Sequence, residues 1–156
     1  MAMASRGSGD LLVATRWLGL IAGALTLVQW CFILPSKKVS LSVADGDFLR
    51  DVNKDGWRFA LFSFVPEVFI DVWTPFVMGL ISVLCHFNFY SIDFNSKNFA
   101  VFFVWNCVLA LFGNLGYCGG IGIISGSVSL ITSFLSLICF ILDRNADARL
   151  HIDKRP

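Results

Sequence analysis

Two acidic residues, Glu67 and Asp71, stand four residues apart in an otherwise apolar segment of the chain. On a helix this spacing places both carboxylates on one face, where they could bind a proton or a cation. Within a membrane two like charges on one face are costly, and at least one carboxyl would have to be protonated or paired with a cation such as Arg58. We therefore expect both carboxylates at a membrane boundary, where Pro66 shapes the entry of the helix, and a proton or cation site is the alternative.

A row of acidic and amide residues precedes this segment and resembles the first half of a calcium-binding loop. The stretch Asp51–Gly56 has the pattern D-x-N-x-D-G. An EF-hand loop also needs a bidentate carboxylate at its twelfth position, and that position is Phe62 here. The row therefore favours an ordinary turn, with a weak calcium contact as the alternative. We predict no metal site and no cofactor.

The cysteines and histidines form no pattern that is typical of catalysis or of a metal site. None of the five cysteines has C-x-x-C spacing, and the two histidines fit neither a catalytic triad nor a zinc-binding order. We therefore expect no enzymatic activity. The cysteines are expected to pack within apolar segments, or to be palmitoylated where Cys85 and Cys118 approach a membrane face. His86 is expected at a membrane interface.

Glycines and serines recur at intervals of four residues, which is typical of helix contacts in lipid. Small side chains let two backbones approach closely, so that van der Waals contact and hydroxyl hydrogen bonds can hold the helices together. We predict helix-packing positions at Gly19, Gly23, Gly116, Gly120, Gly122, Gly126, Ser125 and Ser129. Packing within the chain is the main expectation, and a face for a homo- or hetero-oligomer is the alternative.

From residue 99 to residue 142 the chain has 44 residues without one charged side chain. A straight helix of that length would measure roughly 66 Å, about twice the roughly 30 Å thickness of the hydrocarbon layer of a membrane. The run must therefore fold back on itself. We expect the turn in the glycine-rich stretch Gly113–Gly120, because glycine adopts turn conformations without strain.

Composition extends this interpretation to the whole chain. Hydrophobic residues make up 56% of the sequence and the mean hydropathy is +0.74, whereas soluble domains are about 45–50% apolar. We predict an all-α fold: an integral membrane bundle of four transmembrane helices in a single domain, residues 1–156. The expected segments are spans at about 12–34, 66–89, 99–115 and 119–142, a polar first loop at 35–56 and a cytosolic tail at 143–156. The first span is expected to be retained as an anchor, since its apolar stretch is longer than that of a signal peptide.

Four spans place both termini on one side of the membrane, and the basic residues indicate which side. Seven basic residues lie on the side of the termini and five on the other side, all five between the first two spans. This excess favours cytosolic termini. The tail alternates in charge and is expected to be helical or frayed. The net charge of +1 gives no large basic surface, so we expect no nucleic-acid partner.

Two stretches of the second half carry a family resemblance. They are Trp73–Gly79 and the glycine-rich Gly113–Gly120, which leads into Ile121–Gly126. With them, residues 72–142 resemble the COPI-associated membrane-protein family, which includes small four-span Golgi proteins. The resemblance implies a four-helix integral protein of Golgi or vesicle membranes that is linked to vesicle traffic and has no enzymatic activity. It implies no functional residue.

These expectations describe a non-enzymatic membrane protein that acts through helix packing. Its expected partners are membrane lipids, other membrane proteins, and vesicle coat or sorting factors at the cytosolic ends. Its expected location is the Golgi or another endomembrane. Two alternatives stay open: a small transporter or channel that uses Glu67 and Asp71, and an accessory subunit of a larger membrane complex.

Overall fold

The fold consists of helices. The computed structural model describes residues 2–36, 61, 66–87, 92, 94–117 and 119–152, and most of the predicted first loop, with its calcium-like row, lies outside these residues. The helices are α1 (Ala2–Ser36), α2 (Pro66–Leu84), α3 (Phe99–Val108, continued by a π-helical turn at Leu109–Asn114) and α4 (Gly120–Leu142). Within the described ranges there is no β-strand. The prediction of an all-α fold is confirmed.

The helix ends differ from the expected segment ends by several residues. At its start α1 extends back to Ala2, and α2 ends at Leu84 instead of near residue 89. The N–H of His86 donates to the Val83 carbonyl at 3.2 Å, and the N–H of Phe87 donates to the Leu84 carbonyl at 3.1 Å. These three-residue steps tighten and close the helix. His86 therefore follows α2 instead of lying within it.

Contacts along α1 give the direction of α2. Gly23 of α1 lies against Ser82, near the end of α2. Further along α1, the ring of Trp30 lies 4.6 Å from the ring of Phe76, which is nearer the start of α2. The two helices are therefore antiparallel. We call the end of the bundle where α2 stops and α3 begins the tail end, and the end between α3 and α4 the turn end.

The long charge-free run folds back at the glycine-rich stretch, as predicted. Asn98 begins α3, because its side chain accepts a hydrogen bond from the N–H of Val101 at 2.9 Å. The π-helical turn ends the helix, with the N–H of Leu115 donating to the Ala110 carbonyl at 2.8 Å. Gly116 then takes a φ of +94°, a left-handed conformation that favours glycine. The chain returns as α4, which packs on α1 and α3.

Two helical segments are long and apolar enough to cross a membrane. They are Gly9–Leu34 and Gly120–Leu142, and the shorter apolar helices are Val68–Leu84 and Phe99–Asn114. Length and composition alone do not distinguish such helices from the core helix of a soluble protein, or the first of them from a signal sequence. The residues that face outward and inward bear on this distinction.

Candidate functional site

The helix α4 turns its small and polar side chains inward. Its buried residues are Gly122, Ser125, Gly126, Ser129, Thr132, Ser133, Ser136 and Cys139. Its exposed large hydrophobic residues are Ile123, Ile124, Ile131, Phe134, Leu137, Ile138, Ile141 and Leu142. A surface helix of a water-soluble protein has the opposite distribution, with its apolar stripe facing the core.

The same inverted distribution holds for the rest of the described residues. Among them 14 polar and 10 hydrophobic residues are buried, while 22 large hydrophobic residues are exposed. The one cluster of buried hydrophobic residues found in the described ranges lies at the tail end and consists of Phe99, Phe102, Cys139 and Ala148. In water-soluble proteins most fully buried residues are apolar and most polar residues are exposed. The interior here is therefore polar where a soluble core would be apolar.

Most of the buried hydroxyls of α4 donate to carbonyls of their own helix, whereas that of Ser133 donates to the Phe103 carbonyl of α3 at 2.9 Å. The hydroxyl of Ser129 donates to the Ser125 carbonyl at 3.0 Å, and that of Ser136 donates to the Thr132 carbonyl at 2.6 Å. The hydroxyl of Thr132 in turn donates to the Val128 carbonyl at 2.8 Å. Each of these donors is satisfied without water. The hydroxyl column therefore consists of paired groups.

Gln29 of α1 connects three helices near the turn end. Its Nε2 donates to the carbonyls of Asn114 at 3.2 Å and Gly113 at 3.4 Å, and its Oε1 accepts a hydrogen bond from the hydroxyl of Ser125. The side-chain amide of Asn114 donates to the hydroxyl oxygen of Ser129 at 3.0 Å. The two carbonyls end the π-helical turn, and the Asn114 carbonyl also accepts from the N–H of Tyr117 at 3.2 Å. We call Gln29, Gly113, Asn114, Ser125 and Ser129 the polar hub; the last two are predicted packing residues.

The predicted packing glycines of α1 lie at contacts with other helices. A Cβ added to Gly19 would overlap the ring of Phe102 in α3. A Cβ added to Gly23 would lie 2.8 Å from the Cβ of Ser82 in α2, closer than real Cβ atoms approach. Both positions therefore admit only glycine unless the neighbouring helix moves.

Two of the predicted glycines at α4 also lie in close contacts. A Cβ added to Gly122 would overlap the backbone carbonyl of Tyr117, and one added to Gly126 would lie 2.8 Å from Cδ2 of Leu115. Both contacts bring α4 against the turn that precedes it. Glycine at these positions allows the chain to reverse within a few residues.

Gly116 and Gly120 make no close contact within the described chain, and for them helix packing stays a prediction. Both are exposed, and a Cβ added to either would meet no described atom within 4 Å. The reason is the position of the turn, which carries Gly116 away from the interior and starts α4 at Gly120. Gly116 instead allows the turn, because glycine adopts a positive φ without strain.

The two carboxylate positions lie at the turn end of α2. Glu67 is in the first turn of the helix and Asp71 is in the second. Asp71 is half-buried, and the side chain of Glu67 lies outside the described residues. Burial and then the Asp71 carboxylate raise the pKa of Tyr117 in the α3–α4 turn, which indicates that these two side chains are near each other. The structure thus brings Asp71 to the end of the bundle and not to the middle.

The tail, residues 143–152, is not helical and lies across the tail end of the bundle. Three of its backbone N–H groups bind the loop after α2: Ala148 donates to the Ser96 carbonyl at 3.1 Å, Leu150 to Nδ1 of His86 at 3.3 Å, and Ile152 to the His86 carbonyl at 3.0 Å. The expectation of a helical or frayed end is therefore wrong for these residues. The three acceptors are the Ser96 carbonyl and the ring and carbonyl of His86, so the tail is held to this loop without forming a strand.

Two arginines strengthen this attachment. Arg149 of the tail donates to the carbonyls of Cys85 at 3.0 Å and Phe87 at 3.3 Å. Arg16 of α1 donates to the backbone carbonyl of Asp147 at 2.8 Å and to its Oδ1 at 3.3 Å. Because one arginine lies on the tail and the other on α1, the tail is fixed to both the loop and the first helix.

Four fully buried residues lie against the tail: Cys85, His86, Asn95 and Ser96. Nε2 of His86, both side-chain polar atoms of Asn95 and the Ser96 hydroxyl have no hydrogen-bond partner of good geometry among the described residues. Burial raises the pKa of Cys85 to about 11, so that the thiol is neutral. We call these four residues the buried polar pocket.

The imidazole of His86 is the group of this pocket that can change its charge near neutral pH. Burial, followed by the positive charges of Arg149 and Arg16, lowers the pKa of His86 to about 4. The ring is therefore neutral when the tail is bound. Because Nδ1 accepts the hydrogen bond from Leu150, the single ring proton lies on Nε2.

The polar hub and the bound tail were beyond the sequence-based predictions. Gln29 and Asn114 are isolated polar residues in apolar segments, and such isolation is the signal that could have indicated the hub. The bound tail has no comparable signal, since its N–H groups and the two arginines bind mainly backbone carbonyls, which every residue carries. In the described ranges no group of three His, Cys, Asp or Glu side chains could hold a metal ion.

Comparisons with known proteins give no family for this chain. No protein-family profile, curated protein or solved structure matches this chain. The resemblance to the COPI-associated membrane-protein family stays a prediction from the sequence.

Proposed function

We propose that this chain is an integral membrane protein whose four apolar helices cross the bilayer. The observation that carries the proposal is the inverted distribution of side chains, polar inside and apolar outside. In lipid an exposed Ile or Phe carries no hydrophobic penalty, whereas a polar group is better placed inside the bundle with a partner. A soluble core helix would bury the apolar residues that α4 exposes. A signal sequence that is cleaved off would not form hydrogen bonds to two other helices of the protein, as α1 does through Gln29.

The proposed spans follow the apolar helical segments. They are Gly9–Leu34, Val68–Leu84, Phe99–Asn114 and Gly120–Leu142. The two shorter segments have 17 and 16 residues, or about 24–26 Å of helix, close to the hydrocarbon thickness of the thinner internal membranes. The helix α1 enters, and α4 leaves, at the tail end, and we assign this end to the cytosol because of its basic residues.

We infer that the protein acts as a non-enzymatic structural or trafficking component of Golgi or other endomembranes. Its partners would be lipids, other membrane proteins, and coat or sorting factors at the cytosolic end. The paired hydroxyls of α4 support a packing function, since a conducting path needs polar groups that are free to bind a solute. The sequence resemblance supports the location.

Two alternatives belong to other classes of protein. A small transporter or channel would use Glu67 and Asp71, but Asp71 lies beside the α3–α4 turn, which favours a boundary position for this carboxylate. An accessory subunit of a larger membrane complex is the second alternative. The exposed apolar faces of the helices are compatible with this alternative, because they could contact partner helices as well as lipid.

The proposal is tested by locating a tagged copy in cells and purifying it from that membrane in mild detergent. We expect it in the Golgi or in vesicles, resistant to carbonate washing, and recovered with other membrane proteins of the same compartment. Recovery in a single stoichiometric complex would favour the accessory subunit. Proton or cation flux in liposomes that Glu67→Gln and Asp71→Asn abolish would favour the transporter.

A further inference from the structure

We propose that the tail is a pH-sensitive latch, closed over the end of the bundle by the neutral imidazole of His86 and opened when that ring takes a proton. The latch consists of residues 146–152 and the residues after α2 that bind them, namely Cys85, His86, Phe87 and Ser96. This regulatory role is separate from the packing function proposed above. It would control when the tail and the surface beneath it become available at the end of the molecule.

The contacts of the tail converge on one residue. His86 accepts two of the three tail N–H groups, from Leu150 at its Nδ1 and from Ile152 at its carbonyl. Phe87, the next residue, forms a parallel β-bridge with Ile152. Protonation of Nδ1 would turn this acceptor into a donor that faces the N–H of Leu150, and so would replace a hydrogen bond with a repulsion.

The surroundings make this protonation incompatible with the closed latch. The His86 ring is fully buried, and its Nε2 has no partner of good geometry among the described residues. The charges around it are positive: Arg16 from α1 and Arg149 from the tail. Its titratable neighbour Cys85 is a neutral thiol. Asp147 of the tail contacts Arg16 and His151 instead, with its Oδ2 at 2.6 Å from the His151 ring.

The closed latch also carries a cost that favours opening. Asn95 and Ser96 are buried, and their side chains interact with the Cys85 thiol but have no hydrogen bond of good geometry in the described part of the chain. The tail covers this pair at Ser96, whose carbonyl accepts from Ala148, so we expect opening to improve the hydration of these side chains. Protonation of His86 therefore acts in the same direction as this hydration.

Linkage gives the direction and the size of the pH effect. With the tail closed the pKa of His86 is about 4, and with the tail open it returns toward the ordinary value of about 6.5. The closed state binds fewer protons, so closure is fully favoured above about pH 6.5 and is lost progressively as the pH falls toward 4. Between pH 7.4 and 5.5 the closing equilibrium constant should fall about tenfold.

Hydrogen exchange of the full-length chain in lipid nanodiscs tests the latch. The measured quantity is the protection of the amides of residues 146–152, corrected for the intrinsic pH dependence of exchange. We expect protection in the native chain to fall about tenfold between pH 7.4 and 5.5. His86→Gln keeps an acceptor that does not titrate, so its protection should change less than about twofold over this range.

His151 provides the matched control, because the chain has only two histidines and His151 is exposed. His151→Gln should keep the tenfold fall, since His86 is then the sole histidine. This variant also tests the proposal if His86→Gln does not fold. A native tail whose protection is unchanged between pH 7.4 and 5.5, or a pH effect that disappears in His151→Gln, would overturn the latch.

Discussion

At the scale of the residue, one glutamine connects most of the bundle near the turn end. Gln29 of α1 forms hydrogen bonds to α3 through the carbonyls of Gly113 and Asn114, and to α4 through the hydroxyl of Ser125. Gln29→Leu would leave two buried carbonyls without this donor. We expect the free energy of unfolding to fall by about 1–2 kcal/mol.

The measurement for Gln29→Leu is reversible unfolding of the purified protein in mixed detergent micelles. Val28→Leu is the control, since Val28 is the neighbouring residue and is exposed. This control should change stability by less than about 0.5 kcal/mol. A Gln29→Leu variant as stable as the native chain would show that the hub contributes nothing.

Two glycines near the start of α4 should respond in opposite ways to the same substitution. In Gly122→Ala the added methyl group would overlap the Tyr117 carbonyl, so the turn must move, and we expect a loss of about 1–3 kcal/mol. In Gly120→Ala the methyl group meets no described atom, and the loss of backbone freedom in the unfolded chain should make it neutral or stabilising by up to about 1 kcal/mol. The same unfolding assay measures both, and equal effects would contradict the packing assigned to Gly122.

The sequence indicates which small and polar residues are unusual, but it does not show what surrounds each of them in the fold. Small residues at four-residue intervals lie on one helix face, and in the structure Gly19, Gly23 and Gly126 lie in close contacts. Gly116 instead lies in a turn, because spacing does not indicate where a helix stops and a turn begins. The role of His86 was also beyond prediction, since the tail residue that binds its ring is 64 residues further along the chain.

At the scale of the element, α4 provides the sharpest contrast between lipid and water. Ile131 lies near the middle of this helix and is exposed. If its surroundings are lipid, Ile131→Lys should make insertion of the segment less favourable by about 2.5–3.5 kcal/mol. A glycosylation-based insertion assay on α4 in microsomes measures this cost.

Leu142 is the matched control for this substitution, because it is also exposed but ends the helix. A lysine at position 142 can extend into the headgroup region, so Leu142→Lys should insert almost as well as the native segment. Equal insertion of the two variants would contradict a lipid-facing position for Ile131.

The order of the helices was predictable, but their ends were not. A charge-free run too long for one crossing had to turn, and its glycines indicated where. The end of α2 lies five residues before its predicted end at residue 89, because the backbone after Leu84 tightens and then bonds to the tail. Hydrophobicity continues through these residues, so composition gives no sign of the change.

At the scale of the whole molecule, the bundle has two different ends. The turn end carries the start of α2 with Asp71, and the α3–α4 turn with Tyr117. The tail end carries the bound tail, the buried polar pocket and the arginines. If the tail end faces the cytosol, as we propose, the latch is the part of the protein that cytosolic factors would meet first.

The membrane assignment depends most on whether lipid or water surrounds the exposed apolar side chains. Spin labels placed singly at Ile131, Phe134 and Ile138 of the protein in lipid vesicles report this directly, through their collision rates with oxygen and with a water-soluble nickel chelate. We predict frequent collision with oxygen and little with nickel at all three positions. Frequent collision with nickel along this face would mean that α4 lies in water, and would contradict the membrane assignment.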